Sequence, residues 1–294
     1  MKKYFKYFLN KIGYSIHKKS QVSNPYINLS SWDYQKTLVE SHIKNTDIVL
    51  DIGSGNFPSP RANILVEAFP DESIHRSGNL VEDRPVVICS VERMPFLQKS
   101  FDFSICSHVL EHIESPLRAK SELSRISIGG YIETPSYGKD ILVGTGNMHR
   151  WQVVEFEKVL YFFEYSQRQT EAHTHSPMMD IWMSQDYHPW QDFFWDRQDL
   201  FNAILIWKNN IELVEYRRYG NKENPLVDWK PVSENRLPVI SCQLNEKEIE
   251  MLQSRLSTPD GLRPMNFVND NFIDETGIIV YPVRGKRVYC ELIE

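Results

Sequence analysis

Apolar positions along this chain follow two rhythms. Between residues 47 and 136, short β-branched runs alternate with polar segments of helical spacing, the texture of an α/β unit built on a mostly parallel sheet with helices on both faces. The runs predict strands over 47–52, 63–66, 86–89, 101–106 and 130–133. Ser115 followed by Pro116 reads as an N-cap with proline in the first turn, opening a helix to about residue 126. Strand, helix and strand then make a right-handed crossover. Beyond residue 145 the pattern turns antiparallel. Residues 151–156 and 159–165 flank Glu157-Lys158 as a hairpin, and 204–207, 211–216, 277–281 and 287–292 read as further strands. Asn245, with Glu248 three positions on and Ile249, Leu252 and Leu256 behind it, forms a capping box that starts one late helix.

The first 20 residues differ from the rest. Phe5, Phe8, Leu9, Ile12 and Ile16 fall at helical spacing among six lysines, and no acidic residue precedes Asp33. This basic amphipathic helix suits either an anionic membrane surface, through residues 1–19, or docking on the protein's own core. The domain reading is therefore 1–20 as this helix, 33–145 as the α/β core and 146–294 as an antiparallel, β-rich elaboration packed on it.

Charge sharpens the division. Residues 1–32 carry +6, whereas 33–294 carry −12. So acidic a body argues against nucleic acid as a partner, because phosphate-backbone affinity rests on Lys and Arg displacing counterions. Cys89, Cys106, Cys242 and Cys290 lack C-x-x-C spacing, which suggests neither a zinc knuckle nor a disulfide framework and predicts a reducing, cytoplasmic setting, with peripheral contact at the inner membrane face if the basic helix binds lipid. No run approaches the roughly 18 apolar residues of a membrane span.

The chemistry concentrates at strand ends. Asp51-Ile52-Gly53-Ser54-Gly55 closes the first strand, where two glycines let the backbone fold tightly against a ligand. Glu67 ends the second strand, sixteen residues after Asp51, where an acidic side chain can accept both hydroxyls of a ribose. Ser90-Val91 follows the third strand, and the fourth runs into Ser107-His108-Val109-Leu110-Glu111-His112.

With V-L-D-I-G-S-G over 49–55, E-R-M-P-F over 92–96, F-D-F-S-I-C-S-H-V-L-E-H over 101–112 and G-Y-I-E-T-P over 130–135, the chain resembles the class I S-adenosylmethionine-dependent methyltransferases of the type 11 group. The resemblance covers about a third of the chain. It implies a Rossmann-like fold and S-adenosyl-L-methionine as cofactor. It further implies Asp51, Gly53 and Gly55 around the methionine part, Glu67 on the ribose, Ser90 and Val91 beside the adenine, and Ser107 and His108 beneath the sulfonium. Two departures stand out. Ser90 occupies the place of the family's usual aspartate, and the eight residues between Gly55 and Ile64 are too few for the usual first crossover helix.

A sulfonium methyl is already activated, so the protein has to align, exclude water and remove a proton; no metal is required. The candidate bases are His149 and His112, with Glu133 and Tyr137 behind them. His149 is favoured because it follows the loop at Gly144 and can project over the cofactor. His108 to His112 also matches H-x-x-E-H, a zinc-peptidase motif that needs a continuous helix, which the nearby Ser115-Pro116 start argues against. His173, His175 and His188 are further candidate ligands. Residues 182–195 hold six aromatics in fourteen positions, a candidate stacking wall for an acceptor. The expected function is O-methylation of a sugar or surface-glycan intermediate. The alternatives are a lipid-like acceptor of the quinone-precursor type and a non-catalytic cofactor-binding partner in glycan assembly.

Overall fold

Strands β1 (Val49–Ile52), β2 (Ile64–Glu67), β3 (Val86–Ile88), β4 (Phe101–Ser107) and β5 (Ser127–Pro135) run parallel in the spatial order β3-β2-β1-β4-β5. Every residue of β1, β2 and β3 is buried, which is why these runs are apolar throughout rather than alternating. The chain winds outward from β1 to β3 and then returns to β4 on the other side of β1. The crevice beyond the carboxyl ends of β1 and β4 is therefore the topological switch point, where open α/β sheets hold ligands. This computed structural model describes residues 31–294 apart from 72–75, 77, 146, 147, 173, 175, 185–187, 219–231, 234, 235, 291 and 294. The expected basic helix over 1–20 lies outside the described residues, as do His173 and His175.

No helix joins β1 to β2, in keeping with the short spacing and with Pro58 and Pro60. Side chains hold this irregular crossover instead. Asp51 Oδ2 accepts from Ser59 N at 2.7 Å, and Arg84 Nη1 donates to the carbonyls of Ser59 and Ala62 at 3.1 and 2.6 Å. Helix α2 (Pro116–Ile126) links β4 to β5, with the Ser115 hydroxyl accepting from Arg118 N and Pro116 in its first turn, as the sequence predicts. Ahead of the sheet, α1 (Ser31–Glu40), which the pattern reading missed, packs Leu38 and Val39, with Ile43 just beyond it, on Val49, Phe103, Ile105 and Tyr131.

The second half of the chain extends the same sheet at both edges. Strand β8 (Asn202–Lys208) pairs antiparallel with β5 over seven positions. There Gly130 is required by contact: a Cβ would lie 2.5 Å from Ser104 O and 2.8 Å from Trp207 Nε1. At the other edge β14 (Arg287–Tyr289) pairs parallel with β3. Strands β13 (Val280–Arg284), β12 (Asn271–Asp274) and β11 (Met265–Val268) follow antiparallel, giving ten strands in all. Position 145 thus does not divide the sheet, and the later strands are of mixed rather than purely antiparallel sense. The β11–β12 hairpin was not anticipated; Asn269 and Asp270 turn it in left-handed conformations. The strand expected from 277 starts at Val280, because Gly277, at φ +71°, is spent in the turn after Asp274.

A separate small sheet comprises β6 (Trp151–Phe156), β7 (Val159–Glu164) and β9 (Leu213–Tyr216). Its β6–β7 turn is the anticipated Glu157-Lys158, both residues at positive φ, as a tight hairpin demands. Two short strands, β10 (Val232–Ser233) and β15 (Leu292–Ile293), pair with each other. Helices α3 (Tyr137–Val143), α5 (Pro177–Met183), α6 (Pro189–Asp196) and α7 (Gln198–Phe201) pack on one another beyond the end of β5, and α4 (Gln167–Ala172) follows β7. Helix α8 (Glu246–Gln253) carries the predicted Asn245/Glu248 capping box. None of the described helices is long and apolar enough to cross a membrane.

Candidate active site

At the switch point a cleft of about 790 Å³ opens between the glycine loop after β1, the face of α1, the end of β4 and α3. Asp51, Gly53, Gly55, Ser107, His108 and His149 all line it. Gly53 (φ +68°) and Gly55 (φ +52°) adopt the left-handed conformation open to glycine, and a Cβ on Gly53 would stand 2.3 Å from Val109 Cγ2. Both glycines line the cleft, and a side chain at Gly53 would collide with Val109 beside it.

Three of the expected contacts are placed differently. Glu67 stands at the end of β2, but its carboxylate is engaged by the amide hydrogens of Gly55, Ala68 and Phe69 at 3.2, 2.8 and 3.1 Å, bracing the glycine loop from behind. Ser90 does not line the cleft; its hydroxyl accepts from Glu92 N within its own turn. Val91 packs into the main core. Val91 shares that core with Met94 and Phe96, immediately downstream, while Arg93 between them stays exposed.

The floor is charged. His108 holds left-handed backbone at φ +55°, which places its ring between two buried carboxylates: Nδ1 lies 3.5 Å from Glu111 and Nε2 3.3 Å from Glu133. Burial opposes its charge, but the two carboxylates outweigh that cost and lift the imidazole to about 9. Both ring nitrogens thus face carboxylates, which argues against His108 as the base. Glu133 also accepts from Gln35, Asn202 and the Tyr131 hydroxyl, so its lone pairs are taken and it is no proton acceptor either. Tyr137 opens α3 and does not line the cleft.

On one wall His149, its side chain 12% exposed, lies 2.9 Å through Nδ1 from Asp140 Oδ1, and Asp140 Oδ2 accepts from the Tyr165 hydroxyl at 2.9 Å. A buried carboxylate can only accept, so the imidazole proton sits on Nδ1 and Nε2 is the basic nitrogen. His112 packs edge-on against His149 with ring centroids 5.1 Å apart. Backbone bonds bring them together: Glu111 O accepts from both Arg150 N (2.8 Å) and Trp151 N (3.2 Å), tying the turn after β4 to the start of β6. That turn is not helical, so the H-x-x-E-H residues lack the geometry of a zinc-peptidase helix. His188 likewise serves as the N-cap of α6, accepting from Trp190 N.

Sequence reasoning missed Gln35, Arg76, Lys139, Asp140 and Gln198 in the lining. The aromatic stretch divides. Phe194 is buried with Phe201 and Val143, whereas Trp190 and Phe193 remain exposed beside them.

Asp51 carries a pH signature. Burial lifts its carboxyl to about 7 despite the Ser59 amide and Arg84. Because the folded form keeps a proton that the unfolded chain releases near 4, this group's stabilisation is present in full at low pH and is lost as pH rises through 7. Asp51→Asn should remove that loss, so denaturant titrations should show the variant gaining about 2–4 kcal/mol on wild type between pH 4 and pH 8. Parallel pH curves would contradict the assignment.

Residues 62–132 match the family model described as "Methyltransferase domain". Solved structures similar to the chain include the YcgJ protein of Bacillus subtilis, at 20% identity over 34% of this chain and 50% of that one (TM-score 0.27). A possible histamine N-methyltransferase of Thermotoga maritima shares 21% identity over 46% and 60% (TM-score 0.26). The N-terminal domain of EvdMO1 with SAH bound shares 14% over 59% and 85% (TM-score 0.28). The chain thus spans half the length of the first of these. No curated protein matches it.

Proposed function

We propose that this chain, a class I S-adenosylmethionine-dependent methyltransferase, methylates a hydroxyl of a sugar or surface-glycan intermediate. The observation that carries the reading is the Tyr165–Asp140–His149 relay on the wall of the cleft, an oriented base facing the space in which an acceptor would lie. The cofactor fits what is present. The cleft volume lies within the usual range for small-molecule sites, and the glycine loop lines it at Gly53 and Gly55, both in left-handed backbone. Gly53, Gly55 and Asp51 would hold the methionine part, with Ser107 and His108 beneath it. The cofactor supplies an activated methyl on sulfur.

The protein's own share is alignment and deprotonation. Gln35 and Lys139 line the cleft, and the exposed rings of Trp190 and Phe193 stand behind its Val143 and Met179 wall, Phe193 against Phe201. Rings with polar neighbours suit a sugar, whose flat apolar face stacks while its hydroxyls hydrogen-bond. His149 Nε2 would take the acceptor hydroxyl proton, and Asp140 would hold the resulting imidazolium.

Calorimetric titration with S-adenosylmethionine and its demethylated product, followed by methyl transfer to nucleotide-linked and lipid-linked sugars, tests the reading. No cofactor binding defeats it; transfer only to quinone precursors replaces the acceptor class. Since Glu67 braces the Gly55 amide, Glu67→Ala should weaken cofactor binding about 10- to 100-fold in the same titration, as expected for losing hydrogen bonds to a charged group. Removing residues 1–19 should release the protein from anionic vesicles in a flotation assay if the basic segment contacts membrane.

A further inference from the structure

We infer that Glu111, His112 and His149 form a binding site for a divalent transition-metal ion. One ligand atom from each of the three lies within 4.8 Å of the others. Glu111 is only 1% exposed, and neither of its carboxylate oxygens has a hydrogen-bond partner among the described residues. Its charge is offset by the His108 and His112 imidazoles beside it, yet both oxygens keep lone pairs that no hydrogen bond among the described residues occupies. The imidazoles beside it stand too far off for good hydrogen bonds: His108 Nδ1 and His112 Nε2 are each 3.5 Å from Oε1. That spacing suits a shared ion, since two ligands held about 2.1 Å from a tetrahedral centre stand roughly 3.4 Å apart.

The surroundings orient the rings for the same task. His112 Nδ1 lies 2.9 Å from Met148 O, and His149 Nδ1 2.9 Å from Asp140 Oδ1, which Tyr165 steadies in turn. A carbonyl and a carboxylate can only accept, so both rings carry their proton on Nδ1 and present Nε2 as the ligand nitrogen. Metal-binding histidines are held in this way. Two imidazoles and one carboxylate favour an ion of the Zn²⁺ or Co²⁺ kind over Mg²⁺ or Ca²⁺, which prefer oxygen donors. His108, engaged by Glu133, stays outside the set. The motif H-x-x-E-H thus contributes its last two residues and the distant His149 completes the set, an arrangement the sequence does not reveal.

Ion and proton compete for His149 Nε2, so the base role proposed above belongs to the metal-free protein. What the ion does for transfer rests on that reading; whether it binds does not. Full-length protein stripped with chelator should take up one equivalent of Zn²⁺ by calorimetry and of Co²⁺ by its visible ligand-field absorption. Glu111→Gln and His112→Ala should each weaken uptake at least 10-fold, and Asp140→Asn by about 10- to 100-fold through the outer hydrogen bond. Should Glu111→Gln fail to fold by circular dichroism, His112→Gln serves in its place. The inference is overturned by the absence of saturable one-equivalent binding, or by binding that survives both His112 and Glu111 substitutions, which would put an adventitious ion on other histidines. A parallel titration with S-adenosylmethionine keeps the two readings apart, because loss of cofactor binding leaves the metal isotherm interpretable.

Discussion

Replacing His149 with alanine should lower turnover about 100- to 10,000-fold while leaving S-adenosylmethionine affinity unchanged, the range lost when a positioned general base is removed. The separation follows from geometry. His149 stands on the α3 wall, bonded to Asp140, whereas the residues expected to hold the cofactor sit on the glycine loop and at the end of β4. Asp140→Asn should also reduce turnover, since an amide in place of the carboxylate no longer fixes the Nδ1 proton or stabilises an imidazolium. Rates and titrations are to be measured on chelator-stripped protein, so that loss of a bound ion is not mistaken for loss of the base. Undiminished turnover in His149→Ala would remove the residue from the chemistry.

Trp151→Ala carries the largest expected cost in stability, about 3–5 kcal/mol, the usual range for emptying a buried aromatic site. The indole is fully buried, meets Phe162 edge-on at 6.3 Å and donates through Nε1 to Ile113 O at 2.8 Å. Arg150 and Arg217 also lie against the ring, at 5.8 and 5.6 Å from its centroid. Trp151→Phe keeps much of the packing and loses the hydrogen bond, adding about 1 kcal/mol to a smaller cavity cost. Urea titration with an unchanged slope gives both values directly. A loss below about 1 kcal/mol for the alanine variant would mean that the neighbouring side chains collapse into the space. Because the same indole pins the turn carrying Glu111 and His112, Trp151→Phe should impair the site more than its modest loss of stability suggests.

Much of the sheet was legible because its signals are local. Fully buried parallel strands must be apolar runs, the Ser115-Pro116 and Asn245/Glu248 caps act within four residues, and the Glu157-Lys158 turn lies between strands that pair with each other. The glycine loop was legible for the same reason, since the strand and turn that expose its backbone are contiguous. Strand edges were not. Nothing local says that β14 lies beside β3, or that β8 closes on β5, because those pairings join residues roughly 70 to 200 positions apart.

The candidate site divides along the same line. The sequence by itself determined the acidic body with its basic start, the α/β core, and the presence of Asp51, Gly53, Gly55, Ser107 and His108 at strand ends. Only the tertiary structure decided how their side chains are used. It turned Glu67 to brace the loop and sent Val91 into the core. It drew His149 onto Asp140, nine residues back, and set both histidines around Glu111. Periodicity reports which face of an element is buried, whereas the partner of a buried charge is fixed by whichever distant backbone supplies the enclosure. Here that backbone is the start of β6, whose amides hold Glu111 O and so bring residues 111, 112 and 149 to one place.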